Sequence, residues 1–169
     1  KARGYVGPPG YADLDRDGRR EVVFYRGYAG VVLHENVGDN RFDSVATLPS
    51  FGYRDFDTGD FDQDSLCELV AGAGSDIFVV EATGYDNRYV LSAICTLAVD
   101  TDYVVGVTAA GDMDQDGCSE FLVVSSGNPS ARLLVFESRS HAKYRQVWLG
   151  NVPASSMPYP TVAVGDIDG

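Results

Sequence analysis

The segment Gly111–Val124, GDMDQDGCSEFLVV, places four carboxylates within nine residues and then runs directly into an apolar stretch. Two other segments have the same spacing: GYADLDRDGRREVVFY, which begins at Gly10, and GDFDQDSLCELVAG, which begins at Gly59. A fourth begins at Gly165 as GDIDG. The first aspartates of these segments lie 47, 52 and 54 residues apart, a period typical of propellers and solenoids. The sequence therefore predicts a repeat protein.

Each repeat is predicted to contain four short strands. In the third repeat we expect them at 104–111, 118–125, 131–137 and 143–149, which are mostly rich in Val, Leu, Phe and Tyr. Glu35, Glu81 and Glu137 each close an apolar run, so the period is not confined to the acidic segments. No segment shows a sustained 3.6-residue hydrophobic period. We therefore expect an all-β fold with almost no helix.

The net charge of −12 is concentrated in the acidic segments. Fourteen of the 25 acidic residues lie there, and without them the chain would carry a charge of +2. Nucleic-acid binding requires a basic stripe on one face, and the sequence shows none. It also contains no apolar run of about 18 residues and no signal-peptide pattern. We expect neither a nucleic-acid partner nor a membrane span.

The acidic segments have the chemistry of a metal-binding loop. In loops 13–21, 60–68 and 112–120, oxygens at positions 1, 3 and 5 of a tight turn converge on one point. The carbonyl at position 7 and a Glu at position 9 can complete the shell. Such a set of hard oxygen ligands suits Ca²⁺ better than Mg²⁺ or Zn²⁺. Without a cation, two carboxylates about 4 Å apart repel by roughly 4 kcal/mol at an effective dielectric constant near 20.

Two other interpretations of the loops are disfavoured. An EF-hand needs a bidentate Glu at position 12 and flanking helices, whereas position 12 here is Phe24, Ala71 or Val123 and the flanks are predicted strands. An acidic turn in which Asp serves only turn propensity would explain one loop, but it explains three loops in register poorly.

The full pattern resembles a known family. An apolar strand, D-x-D-x-D-G-x-x-[DE] and a second apolar strand, repeated about every 50 residues, is similar to the FG-GAP/VCBS repeats of integrin α-subunit-like β-propellers. Phe51 and Gly52 stand near the place of that family's Phe-Gly, in the second repeat only. The resemblance implies that each repeat is one four-stranded blade and that its loop joins two neighbouring strands and binds Ca²⁺.

The resemblance also implies the ligands. The implied carboxylate ligands are Asp13, Asp15, Asp17 and Glu21; Asp60, Asp62, Asp64 and Glu68; Asp112, Asp114, Asp116 and Glu120; and Asp166 and Asp168 in the partial fourth loop. Position 7, which is Arg19, Leu66 or Cys118, would contribute only its backbone carbonyl. Position 6 is glycine in two complete loops but Ser65 in the second. A non-glycine residue with positive φ costs on the order of 1 kcal/mol, so we expect the second site to be the weakest.

The blades are expected at about 5–48, 51–98 and 103–150, with the start of a fourth at about 160–169. Propellers of this family usually close with about seven blades, and a ring needs roughly four at least. The chain begins with Lys1 rather than Met and stops inside its fourth loop. We therefore expect part of a larger propeller, completed by missing sequence or by another copy.

No catalytic constellation is evident. His34 lies in an apolar run and His141 in a polar turn, so core or turn roles are expected for both. Cys67, Cys95 and Cys118 fall at places too far apart to bridge in the predicted fold, and three free thiols are expected.

Two classes of function remain open. The first is a calcium-binding extracellular or cell-surface module for recognition or adhesion, with structural calcium and a glycan or protein ligand. The alternative is the propeller portion of a polysaccharide-acting enzyme such as a lyase. Six tyrosines in or near the predicted connections could stack on sugars or anchor a partner, or could pack between blades. These are Tyr5, Tyr11, Tyr53, Tyr85, Tyr103 and Tyr159.

Overall fold

The computed structural model describes residues 10–26, 30–48, 55–97, 103–126, 130–152 and 164–165. These residues form twelve strands in three four-stranded antiparallel sheets, and they contain no helix. Among them, accordingly, no helix could cross a membrane. The all-β class and the four strands per repeat are as the sequence predicts.

Each sheet is built from strands that follow one another in the chain. Sheet 1 contains β1 (Gly10–Ala12), β2 (Glu21–Tyr25), β3 (Val31–Gly38) and β4 (Arg41–Leu48). Sheet 2 contains β5 (Asp55–Gly59), β6 (Glu68–Ala73), β7 (Asp76–Ala82) and β8 (Tyr89–Thr96). Sheet 3 contains β9 (Tyr103–Gly111), β10 (Glu120–Ser126), β11 (Ala131–Ser140) and β12 (Lys143–Val152).

Three strand boundaries in the third repeat differ from the prediction by two or three residues. β10 begins at Glu120 rather than at residue 118, because the backbone N–H of Cys118 donates to Asp116 and keeps that residue in the loop. β11 and β12 continue to Ser140 and Val152, since they form one long hairpin around a two-residue turn. The hydrogen bonds between strands thus determine where each strand ends, which the strand preference of the residues alone does not.

Apolar side chains fill the spaces between neighbouring sheets. Between sheets 1 and 2, Val23 and Leu33 join the same buried cluster as Leu69. Between sheets 2 and 3, the ring of Phe121 lies 5.4 Å from that of Phe61 and stacks on Phe136 at 5.3 Å. Each sheet therefore has its neighbour's side chains as part of its core.

The first strands of successive sheets lie side by side. Asp57 of β5 accepts a 2.7 Å hydrogen bond from the backbone N–H of Ala109 in β9, and Asp55 accepts one of 3.2 Å from Val107. Gly72 of β6 leaves room for Val104, since a Cβ at Gly72 would stand 2.1 Å from Val104 Cγ1. Most of the exposed large hydrophobic residues lie in the fourth strands, such as Ile94 and Trp148. The loops that join the first strand to the second strand in sheets 1 and 2 consequently have the next sheet beside them.

Candidate metal centres

The three acidic loops connect β1 to β2, β5 to β6 and β9 to β10, and they share one backbone conformation. Position 4 has a φ of 60° or 61° in every loop, and position 6 has a φ between 83° and 90°. The residues concerned are Arg16, Gln63 and Gln115 at position 4, and Gly18, Ser65 and Gly117 at position 6. Two left-handed residues per loop curl the chain so that the acidic side chains turn toward one centre.

The carboxylates expected as ligands converge. In the second and third loops, the three Asp and the closing Glu each offer an oxygen within 4.8 Å of the others; in the first loop Asp13, Asp15 and Asp17 do so. Oxygens bound to Ca²⁺ lie about 2.3–2.6 Å from the ion, so two ligands on opposite sides of it are about 5 Å apart. The spacing of these oxygens fits one shared ion per loop. Asp166 and Asp168 lie outside the described residues.

One carboxylate oxygen of each closing glutamate is buried without a hydrogen-bond partner. Glu21, Glu68 and Glu120 are at most 3% exposed, and Oε2 of each accepts a backbone hydrogen bond of 2.6–2.7 Å from position 2. Oε1 of each is buried and has no hydrogen-bond partner, and the same is true of Oδ1 of Asp13 and of Asp60. A buried carboxylate oxygen without a donor is costly, and a cation in the loop would satisfy it.

The electrostatic environment of the loops favours the binding of a cation. The pKa of Glu68 is raised to about 8 and that of Glu21 to about 7, chiefly by burial and also by the aspartates of the same loop, while a backbone hydrogen bond lowers both. Burial likewise raises the pKa of Glu120. Burial and the neighbouring negative charges both oppose the ionisation of these carboxyl groups. A bound divalent ion would offset both effects, so that the ionised groups become good ligands.

Position 7 contributes no side chain suited to a hard cation. Its backbone N–H donates to the position 5 aspartate in each loop, at 2.7 Å from Arg19, 2.8 Å from Leu66 and 2.9 Å from Cys118. Burial raises the pKa of the Cys118 thiol to about 11, and hydrogen bonds to Asp116 and Glu137 add to the shift. Because that thiol stays protonated at neutral pH, the third loop offers oxygen ligands like the other two.

The second loop departs from the other two at Ser65. The N–H of Gly18 and that of Gly117 each donate at 3.1 Å to Oδ2 of the first aspartate of their loop. No such bond from Ser65 occurs in the described part of the chain; Asp60 Oδ2 instead accepts from Arg16 at 3.3 Å. Ser65 nevertheless has a φ of 83°, a conformation that favours glycine.

We expect Ser65→Gly to tighten calcium binding at the second loop roughly fivefold, because about 1 kcal/mol of backbone strain is removed from the closed loop. The amide resonances of residues 18, 65 and 117, followed during a calcium titration, report the three loops separately. Gly117→Ser is the matched control and should weaken the third loop by a similar factor. Unchanged affinity at the second loop, together with unchanged affinity in the control, would contradict the strain argument.

A second layer of acids, which the sequence pattern alone did not predict, lies behind the loops. Each closing glutamate is paired across the ladder with a buried glutamate of the third strand: Glu21 with Glu35, Glu68 with Glu81, and Glu120 with Glu137. Each of these third-strand glutamates has a basic side chain beside it, respectively Arg19 at 2.8 Å, His141 at 3.5 Å and Arg139 at 2.9 Å. The regular recurrence of Glu35, Glu81 and Glu137 was the available signal.

The histidines occupy the kinds of place expected of them. His34 lies in β3 with its ring 5.2 Å from that of Phe24. His141 lies in the turn between β11 and β12, where its Nδ1 is 3.1 Å from Asp62 and 3.5 Å from Asp64. Its position beside the second loop could not be read from the sequence. Cys67, Cys95 and Cys118 are all free, as expected.

Three of the six tyrosines are in the described residues. Tyr11 is 57% exposed in β1, Tyr85 is 70% exposed in the connection between β7 and β8, and Tyr103 begins β9. The guanidinium of Arg20 lies 5.0 Å above the Tyr11 ring. Tyr5, Tyr53, Tyr159 and the Phe51–Gly52 pair lie outside the described residues.

A comparison with models of known protein families and with curated proteins finds no match to this chain.

Proposed function

We propose that the chain is part of a calcium-stabilised β-propeller of the FG-GAP/VCBS type, and that it serves as a recognition or adhesion module at the cell surface or outside the cell. The observation that carries the calcium assignment is the buried, unpaired Oε1 of Glu21, Glu68 and Glu120, which recurs at the same position in three loops. Flexible sets of carboxylate and carbonyl oxygens are the ligands that Ca²⁺ accepts most readily.

Two features support a propeller arrangement. The strands of each sheet follow in sequence order, and the first strands of neighbouring sheets lie together while the fourth strands carry exposed side chains. Each sheet also packs one face on the next sheet. Continued in the same sense, these relations give a radial array of blades, which further sequence or another copy would complete.

The affinity of calcium loops is related to the place where a protein works. Loops in extracellular modules have Kd values of about 10⁻⁴ to 10⁻³ M, and such sites fill only where calcium is plentiful. In this proposal the ion is structural and holds the loops in place, while the ligand is bound elsewhere on the sheets.

An open groove between sheets 1 and 2 is a candidate position for a glycan or protein ligand. It has a volume of about 630 Å³ and is lined by Thr47 of β4 and by Tyr85, Arg88 and Val90. An exposed tyrosine beside an arginine offers an aromatic face for a sugar ring and a donor for its hydroxyls. Tyr85 is 70% exposed, against 49% for Val90.

The recognition role is tested with a glycan array and with a pull-down from native cell surfaces, each run in calcium and in chelator. We expect binding in calcium only, and a loss of roughly tenfold or more in Tyr85→Ala. Tyr103→Ala, which alters an exposed tyrosine of another sheet, is the control. Equal binding by Tyr85→Ala would exclude the groove, and turnover of a polysaccharide by protein carrying this chain would favour the lyase alternative.

A further inference from the structure

The position 3 aspartate of a loop is held by the sheet that follows it. Asp15 Oδ2 accepts a 2.6 Å hydrogen bond from the backbone N–H of Asn87, which lies 72 residues later in the turn between β7 and β8. Asp62 Oδ2 accepts one of 3.0 Å from Ala142, 80 residues later in the turn between β11 and β12. In both cases the donor belongs to the next sheet.

The two donors are equivalent in structure as well as in partner. Asn87 and Ala142 each have a φ of 56°, and each precedes a fourth strand by one or two residues. Their turns differ in sequence, and the donor in both is a main-chain N–H. The contact is therefore a property of the backbone repeated from one sheet to the next.

Each contact leaves the other oxygen of the aspartate for its own loop. Oδ1 of Asp15 accepts from Asp17 at 3.4 Å, and Oδ1 of Asp62 accepts from Asp64 at 3.3 Å. The bond from the next sheet thus fixes the orientation of a carboxylate that lies among the candidate ligands. An outer hydrogen bond of this kind determines how well a ligand is preorganised for its metal.

The following sheet also brings a buried tyrosine hydroxyl to the same loop. The hydroxyls of Tyr89 and Tyr144 are buried without a hydrogen-bond partner. After burial itself, the charges of Glu21 and Asp15 raise the pKa of Tyr89, and those of Glu68 and Asp62 raise the pKa of Tyr144. The corresponding residue of sheet 1 is Phe42, which follows a turn with Asn40 at a φ of 53°.

Within the described residues, the third loop lacks this contact from a following sheet. Its position 3 residue, Asp114, is exposed, and no turn of a following sheet donates to it within the part of the chain that the structure describes. Asp15, by contrast, is 7% exposed. The first and third loops both have glycine at position 6, so backbone strain at that position does not distinguish them.

We propose that the turn before the fourth strand of each sheet positions the calcium ligand at position 3 of the preceding loop, so that calcium binding and the docking of successive sheets are coupled. This inference rests on the proposed calcium function. Asn87 and Ala142 are positioning residues and touch the metal only through an aspartate. In this chain the first loop should accordingly bind calcium more tightly than the third.

The test inserts Gly-Gly between Asp86 and Asn87, which moves the donor away from Asp15. The Kd of the first loop, followed through the Gly18 amide, should rise roughly tenfold while the second and third loops keep their affinities. The same insertion between Asp39 and Asn40 is the matched control, because that turn has no preceding loop in the described residues. Inserting Gly-Gly between His141 and Ala142 should instead raise the Kd of the second loop.

Replacing the Asn87 backbone N–H with an ester oxygen removes only the hydrogen-bond donor. This variant provides the test if the insertion prevents folding. If the parent binds calcium and the ester variant binds it equally well at the first loop, the coupling is refuted and the proposed function stands. If no loop of the parent responds to calcium, the proposed function fails as well.

Discussion

In saturating calcium the chain should melt far above its melting temperature in chelator. A site at a hundredfold excess of ligand over its Kd contributes roughly 2.7 kcal/mol, so three filled loops contribute about 8 kcal/mol. For a chain of this size, each kcal/mol corresponds to about 2–4 °C. We expect a shift of roughly 15–30 °C by scanning calorimetry, with about three ions bound in a calorimetric titration.

The variant Glu21→Gln/Glu68→Gln/Glu120→Gln isolates the role of the closing carboxylates. Glutamine keeps an oxygen that can accept the position 2 N–H but removes the charge, so the calcium-dependent shift should largely disappear. In chelator the same variant should be at least as stable as the parent, because the burial that raises the pKa of these glutamates opposes their charged forms. No calcium binding by calorimetry, with equal melting temperatures in calcium and chelator, would refute the assignment.

Gly72→Ala should destabilise the chain by about 1–3 kcal/mol, the usual range for overpacking. A Cβ at residue 72 would stand 2.1 Å from Cγ1 and 2.6 Å from Cβ of Val104, which is fully buried between sheets 2 and 3. The obstacle is a side chain next to its own backbone, so it cannot swing aside. Urea unfolding, monitored with calcium held constant, measures the change.

Gly38→Ala is the control, since a Cβ there meets nothing within 4 Å and the residue has no positive φ. An alanine in an unobstructed strand position is neutral or slightly favourable relative to glycine. The double variant Gly72→Ala/Val104→Ala should be less destabilised than the sum of its two single variants, because the two side chains compete for one space. If the free energy of unfolding of Gly72→Ala stays within about 0.5 kcal/mol of that of the parent, the close approach of sheets 2 and 3 at Gly72 is refuted.

The sequence was informative where a pattern is local and repeated. The loops at 13–21, 60–68 and 112–120 carry their spacing within nine residues, and apolar runs on either side predict the strands they join. Because those ligands belong to one short segment, their convergence follows from turn geometry and needs no knowledge of the rest of the fold.

The contacts between repeats could not be predicted from the sequence, for a physical reason. Asn87 meets Asp15 only because two sheets dock at one particular register, and its donor is a backbone N–H that any residue but proline has. Asp55 and Asp57 likewise receive N–H groups from β9, although nothing in the segment DFDTG distinguishes them from solvent-exposed acids. Burial in this interface raises the pKa of Asp55, a shift that the sequence alone does not indicate.

The up-and-down order of the strands has a kinetic consequence. Within a sheet, every pairing joins strands that are consecutive in the chain, so the entropy lost on closing each hairpin is small. Docking of sheet on sheet joins residues 72 or 80 positions apart and closes much longer loops. Rapid zippering of separate meanders followed by slower docking is the order that this topology favours. Calcium ions bound between docked sheets would then mainly lower the unfolding rate, which is read from the unfolding limb of a chevron plot.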